Sequence, residues 1–464
     1  MLDSINKQQY FDILQRLSIN VELDYVVVQT VNSNTLSDEF EGNMGIDIIS
    51  LLIFGFCIVL FIWDKLPMAT TAVLGCVLMV IFGVCDFKVA FGQFSSSTVI
   101  LTIGVMIIGA SISESGLAAT IGNWIVAKSN GSEIKLIAGT YLAAAIMSAF
   151  LTNSAVLAIF IPIIMGLSLT NENIKSKNLI MPIAYGCVLG GASTLVGSTQ
   201  QMTAQGLLED AGAQMFKTFD FTPVGAVIVL LGLGYCLIIG RKRGEKIWGD
   251  RPESEFEIKP DESNYSKNKL LIMSFIFIGT VVLYITEWLP LAITSSSAAV
   301  MCILTGCITQ KKAIASVNWN IVGRLAGCLG LAKALEEAGG TRIIADTFTN
   351  AVGLKANPFV LFATLVFLVL LVSEFMSNST AILIVLPIVI AIAPRIGLNL
   401  YPYALGITLA SGVALSCPLA SSTLGMSMTC GYRFNDYFKY SIFMDIVSYL
   451  IIVFLIPLFY SLTI

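Results

Sequence analysis

The sequence predicts an all-α polytopic membrane protein built from two inverted repeats, each with five transmembrane helices and one re-entrant helical hairpin. Three observations carry this expectation: an apolar composition, apolar runs of membrane-spanning length along most of the chain, and self-similarity at an offset near 224. Of 464 residues, 56% are hydrophobic and 12% charged, against about 25% charged in an average soluble protein. The 26 Lys and Arg are outnumbered by 30 Asp and Glu, so no basic face is available for nucleic acid phosphates. The absence of His removes the usual zinc sites and any imidazole base. Cys57, Cys76, Cys236, Cys302 and Cys328 lie in apolar runs without a C-x-x-C pair and read as small buried hydrophobes.

Residues 1–45 form a polar, rather acidic segment that lacks the pattern of a signal peptide; an amphipathic helix is expected over 8–20. A bilayer core of about 30 Å needs about 20 apolar residues. Ten crossings are expected near 46–63, 66–84, 98–118, 178–203, 222–240, 270–288, 290–308, 320–338, 402–428 and 441–463. Two further apolar stretches, 134–169 and 357–394, are too long for one crossing and carry polar triplets at their middles, as re-entrant hairpins would. The loop 241–269 holds Arg241, Lys242, Arg243, Lys246, Arg251, Lys259, Lys267 and Lys269, which assigns it to the cytoplasm and both termini to the outside.

The repeat aligns Leu66-Pro67 with Leu289-Pro290, Gly116 with Gly339, and Asn153 with Asn378, each Asn being followed by a proline, Pro162 and Pro387. Five crossings per half is an odd number, so the second copy enters the membrane upside down. Inverted halves give a carrier inward and outward states of similar energy, with the binding site where the halves meet.

Thr152, Asn153 and Ser154 in the first hairpin, and Ser377, Asn378 and Ser379 in the second, interrupt apolar sequence. A broken helix frees N–H groups at the start of the next half-helix, which suit an anion. It also frees carbonyls at the end of the preceding one, which with Ser and Asn oxygens suit a hard cation such as sodium. The plainer alternative is that these residues cap helices or bond across helix interfaces. In the crossing after each hairpin, the Gly- and Ser-rich segments 190–201 and 411–423 are expected to unwind, bringing Gly197, Ser198, Ala420 and Ser421 towards the hairpin tips. Close helix packing through small residues is the alternative there. Glu374 is an ionisable group at membrane depth, with a coupling or a structural role. Arg324, near the start of a crossing, is expected to snorkel to the cytoplasmic face.

At these residues the chain resembles the divalent anion/sodium symporter family, whose hallmark is a Ser-Asn-Thr triplet at each of two hairpin tips. The likeness extends over about 46–464 and includes Glu374-Phe375 and the run from Gly431 to Tyr437. The resemblance implies an elevator-type transporter and a homodimer. Its scaffold would comprise 46–133 and 270–355, and its transport domain 134–240 and 356–464, joined by the cytoplasmic loop 241–269. It implies about two sodium ions, one at Ser148, Thr152, Asn153 and Gly197, the other at Ser373, Ser377, Asn378 and Ala420, with no transition metal and no organic cofactor. Substrate carboxylates would meet Asn153, Ser154, Ser198, Thr199, Asn378, Ser379, Ser421 and Ser422. Both triplets lack the family's final Thr, and Ser198-Thr-Gln-Gln201 and Ser421-Ser-Thr-Leu424 replace its usual Thr-Pro-Pro-Asn. These changes leave the anion open and favour a roomier or differently shaped one than succinate.

The leading expectation is therefore sodium-coupled uptake of a dicarboxylate or other divalent anion across the cell membrane, without nucleic acid partners. The alternatives are a sodium-independent exchanger or proton-coupled carrier of sulfate, a tricarboxylate or another anion, and, more remotely, a passive anion channel. An enzyme is disfavoured by the missing His and by the lack of a paired-carboxylate or nucleophile motif within the spans.

Overall fold

The computed structural model describes residues 45–63, 66–129, 131–170, 174–249, 266–343 and 357–464. The expected helix at 8–20 and most of the loop 241–269 lie outside these residues. The described residues are helical, with one isolated bridge between Leu398 and Thr463.

The first half runs α1 (Ile46–Trp63), α2 (Met68–Ile81), α3 (Phe87–Gly92), α4 (Ser97–Glu114), α5 (Leu117–Ser129), α6 (Glu133–Ser148), α7 (Asn153–Thr170), α8 (Ser176–Gly191), α9 (Thr199–Asp210) and α10 (Thr222–Tyr235). A π turn at Cys236–Gly240 leads into α11 (Arg241–Trp248), so the expected loop begins as a helix, anchored by the buried Trp248. The second half runs α12 (Lys267–Thr286), α13 (Leu291–Leu304), α14 (Gln310–Ser316), α15 (Trp319–Glu337), α16 (Pro358–Phe375), α17 (Asn378–Ile392), α18 (Leu400–Gly412), α19 (Ser422–Met428) and α20 (Phe434–Phe459). The helix α5 was not among the expected crossings, because Lys128 and Asn123 dilute its apolar signal.

Among the described residues, six helices are long and apolar enough to cross a membrane, including Lys267–Thr286 and Phe434–Phe459, and four shorter apolar helices accompany them. Leu52, Leu230, Phe275 and Leu458 are more than half exposed on the outer faces of α1, α10, α12 and α20, which suits lipid rather than water. The centre belongs to α8 and α18, buried along nearly their whole lengths.

Each long apolar stretch breaks at its triplet, and the chain then returns to the end it came from. At the base of the first hairpin, Asn178 Nδ2 at the start of α8 donates to Glu133 Oε1 at the start of α6 (2.9 Å). At the second, Tyr403 Oη in the first turn of α18 donates to the carbonyl of Pro358, the first residue of α16 (2.7 Å). The expected single crossings at 178–203 and 402–428 are each divided, with non-helical backbone at 192–198 and 413–421.

The halves repeat in three dimensions as well as in sequence. Gly83 and Gly306 turn the chain at φ 68° and 71°, and Gly116 and Gly339 at φ 78° and 81°, a backbone region that glycine enters freely. Packing repeats with the halves exchanged. Gly104 on α4 lies against Ser295 on α13, where a Cβ would come within 2.7 Å, and Gly327 on α15 lies against Ala72 on α2, where it would come within 2.9 Å. Both contacts obey one offset of 223, so α4 meets α13 as α15 meets α2.

Candidate functional site

A cavity of about 380 Å³ lies where the two breaks of each half converge. Residues 152–154 and 377–379 reach it from the hairpin tips, and 196–200 and 419–423 from the divided crossings. All eight expected substrate residues line it: Asn153, Ser154, Ser198, Thr199, Asn378, Ser379, Ser421 and Ser422. Of the expected sodium residues, Thr152, Asn153, Gly197, Ser377, Asn378 and Ala420 also line it, while Ser148 and Ser373 are fully buried behind the tips.

Each tip is tied to the divided crossing of the other half. Ser154 Oγ and Ser422 Oγ are 2.8 Å apart, and Thr199 Oγ1 and Ser379 Oγ 3.1 Å. Three helices of twelve residues or more, α7, α9 and α17, present their N-termini to the cavity, where unpaired N–H groups and the helix dipole favour negative charge. Ser377 caps α17, accepting from Thr380 N at 3.4 Å.

Behind the first tip, oxygen atoms converge. One end of the Asn153 amide lies 2.6 Å from Ser148 Oγ and 3.2 Å from the carbonyl oxygens of Gly197 and Cys187, and the other end lies 3.2 Å from Ser198 Oγ. With nitrogen towards the three oxygens, the amide has two N–H groups to donate among them. With oxygen there, four oxygens face one another, an arrangement that a bound cation stabilises. The glycine at 197 is required: a Cβ would come within 2.6 Å of the Ser148 and Gly191 carbonyl oxygens.

Arg324 corrects the expectation of snorkelling. The helix that carries it begins at Trp319, so Arg324 lies more than a turn inside, on the face turned to the cavity. Its guanidinium Nη1 donates to Ser377 Oγ at 3.3 Å and approaches Met68 Sδ at 3.7 Å. Among the described residues, Arg324 is the one ionisable side chain lining the cavity, and it forms no salt bridge. An ionisable residue inside an apolar helix is the signal that marks it. Asn318, the N-cap of α15, lines the same wall.

A second correction concerns paired carboxylates, for which the sequence offers no motif. Glu374 and Asp445, 71 positions apart, come together inside the protein, both bonded to Ser416. Asp445 also accepts from Leu415 N at 3.1 Å and from the Ser416 hydroxyl, and Glu374 Oε1 accepts from Ser416 N at 3.4 Å. The pair therefore braces the open backbone of 413–421. In the first half that task falls to a neutral group, the Thr194 hydroxyl, which donates to the carbonyl of Ala149.

A family model described as citrate transporter matches residues 58–379 and 281–463, together spanning most of the chain. The chain belongs to the citrate transporter family. Residues 281–379 fall in both matched stretches. The uncharacterized transporter YfbS of Escherichia coli (strain K12) is 30% identical over 189 residues, 41% of this chain and 31% of that protein. The chain thus matches about a third of that relative's length. The sodium-dependent dicarboxylate transporter SdcS of Staphylococcus saprophyticus is 23% identical over 384 residues, 74% of this chain and 72% of that protein. In fold, the chain is similar to the YdaH transporter of Alcanivorax borkumensis, with a TM-score of 0.61 at 12% identity over 88% of this chain and 98% of that one. This member of the citrate transporter family is a multi-pass membrane protein.

Proposed function

We propose that the protein is a secondary active transporter that takes up a dicarboxylate or another divalent anion with sodium. One observation carries this reading: a cavity between two broken hairpins holds a guanidinium without a salt-bridge partner among the described residues, three helix N-termini and a ring of hydroxyls. A buried positive charge of this kind is costly alone and is stabilised by an anion. Two carboxylates fit the available donors, one at Arg324 and Ser377, the other at Asn153, Ser154 and Ser198. The oxygen cluster of Ser148, Asn153 and Gly197 with Thr152 suits a sodium ion. Ser373, Ser377, Asn378 and Ala420 form the other candidate cation site, with Arg324 beside it. The sodium-dependent dicarboxylate transporters among the relatives support the same assignment.

Transport follows from the duplication. Two halves inserted in opposite senses interconvert an outward and an inward state by exchanging their conformations. The body 134–240 with 356–464 would move as an elevator against a scaffold of 46–133 with 270–355. A homodimer would hold that scaffold still in the cell membrane.

Uptake of radiolabelled succinate and citrate into proteoliposomes, with and without an inward sodium gradient, tests this. Sodium-driven accumulation that disappears in both Asn153→Ala and Asn378→Ala is the expected result. Uptake indifferent to replacing sodium with potassium or choline would remove sodium from the reading. No uptake of either anion would remove the substrate class.

A further inference from the structure

The duplication gives Arg324 a counterpart. Three residues before Gly327 on α15, it corresponds to Leu101, three residues before Gly104 on α4, at the offset of 223 that relates the two glycine contacts. The helix carrying Arg324 packs on α2 and α3, within the body assigned as scaffold, whereas Ser377 belongs to the hairpin tip of the other body. Met68 on α2 meets the same tip, 3.5 Å from Ser377 Oγ and 3.3 Å from Thr380 Oγ1. The contact between guanidinium and tip thus bridges the parts that must slide past each other.

If the opposite-facing state is reached by exchanging the roles of the halves, α4 then stands against the first hairpin tip as α15 stands against the second here. It presents leucine where α15 presents arginine. Leu101 is 3% exposed and has no polar atom beyond its backbone, so it offers a carboxylate nothing.

We propose that Arg324 is a substrate ligand in one state only, the described one, and that the carrier consequently binds its anion more tightly from one face of the membrane than from the other. This rests on the alternating-access reading above and adds the residue that makes its two states unequal. In the described state one carboxylate of the substrate bonds to the guanidinium, and the other stays with the hydroxyls and helix N-termini that move together. On transit the guanidinium stays behind, so the anion leaves it before release. Charge-assisted bonds to a desolvated guanidinium are among the strongest available to a carboxylate, so losing one weakens binding by tenfold or more.

The test is the half-saturation constant for radiolabelled succinate and citrate in right-side-out and in everted membrane vesicles, for the wild type, Arg324→Gln and Arg324→Lys. For the wild type, the two constants are expected to differ by at least tenfold. Arg324→Gln should raise only the lower of them, bringing the pair within about twofold, while Arg324→Lys keeps a reduced difference and reports that the fold survives the change. Equal constants in the wild type, a Gln variant that shifts both constants alike, or one that shifts neither would overturn the proposal. Absence of uptake of either anion in either vesicle would overturn the substrate reading together with it, and so is distinct from symmetric uptake, which sinks the one-state ligand alone.

Discussion

The Asn153 side chain lies 2.6 Å from Ser148 Oγ, across the break that ends α6 and begins α7. This contact joins the last helical residue before the first tip to the first one after it, and it faces two backbone carbonyls. The hydroxyl of Ser148 is fully buried, so removing it leaves no water-accessible substitute.

Ser148→Ala is expected to weaken sodium dependence specifically. One lost oxygen ligand corresponds to about 1.4 kcal/mol, or roughly a tenfold rise in the sodium concentration for half-maximal uptake. Thermal unfolding in potassium should change little. A loss of stability that is equal in sodium and potassium would give Ser148 a structural role instead.

Two glycines in the divided crossings should behave differently. A Cβ on Gly197 would meet backbone oxygens at 2.6 Å, whereas on Gly425 its nearest neighbour is the Pro418 carbonyl at 3.5 Å, ordinary contact. Gly197→Ala should cost about 1–3 kcal/mol through backbone displacement and abolish sodium-stimulated uptake. Gly425→Ala should retain both stability and uptake, as denaturation and transport assays on the pair would reveal.

The exchanged contacts of the two halves make a paired forecast. Gly104→Ala and Gly327→Ala press on Ser295 and Ala72 in equivalent settings, so each should lower stability by about 1–3 kcal/mol. Their effects should add in the double variant, because the contacts share no residue. Melting curves of the two single variants and the double variant decide this.

Asp210, at the far end of α9, supplies a pH dependence. Burial pushes its carboxyl up to about 6, against the opposing pull of the Gln93 hydrogen bond (2.7 Å) and of Lys333. Raised above its unfolded value, the group favours the folded state only while protonated. Its contribution is complete below about pH 4 and declines as pH rises to about 6. Asp210→Asn should therefore gain about 1 kcal/mol near pH 7.5, after allowance for solvent screening, and nothing near pH 4. Thermal unfolding at the two pH values checks the sign.

The helices, the hairpin tips and the divided crossings were legible because each imposes a local contrast: polar triplets or Gly-Ser runs inside apolar sequence. Asn153 and Asn378 stand out in this way. Arg324 was visible as a charge within an apolar stretch, but the face it occupies was not, because the packing of α15 on α2 and α3 decides which face turns to the cavity. Asp445 could not be read at all. Its meaning lies in Glu374 and Ser416, and that proximity is a product of α16, α18 and α20 packing together. The braces of the open segments differ between halves for the same reason: neither Thr194 nor the carboxylate pair carries a motif.

The hydroxyl pairs Ser154–Ser422 and Thr199–Ser379 each run from one half of the chain to the other. Neither half closes the cavity alone. Either half folded by itself would present an open groove of hydroxyls and helix ends, and co-expression of the two halves as separate chains would be needed to rebuild the chamber.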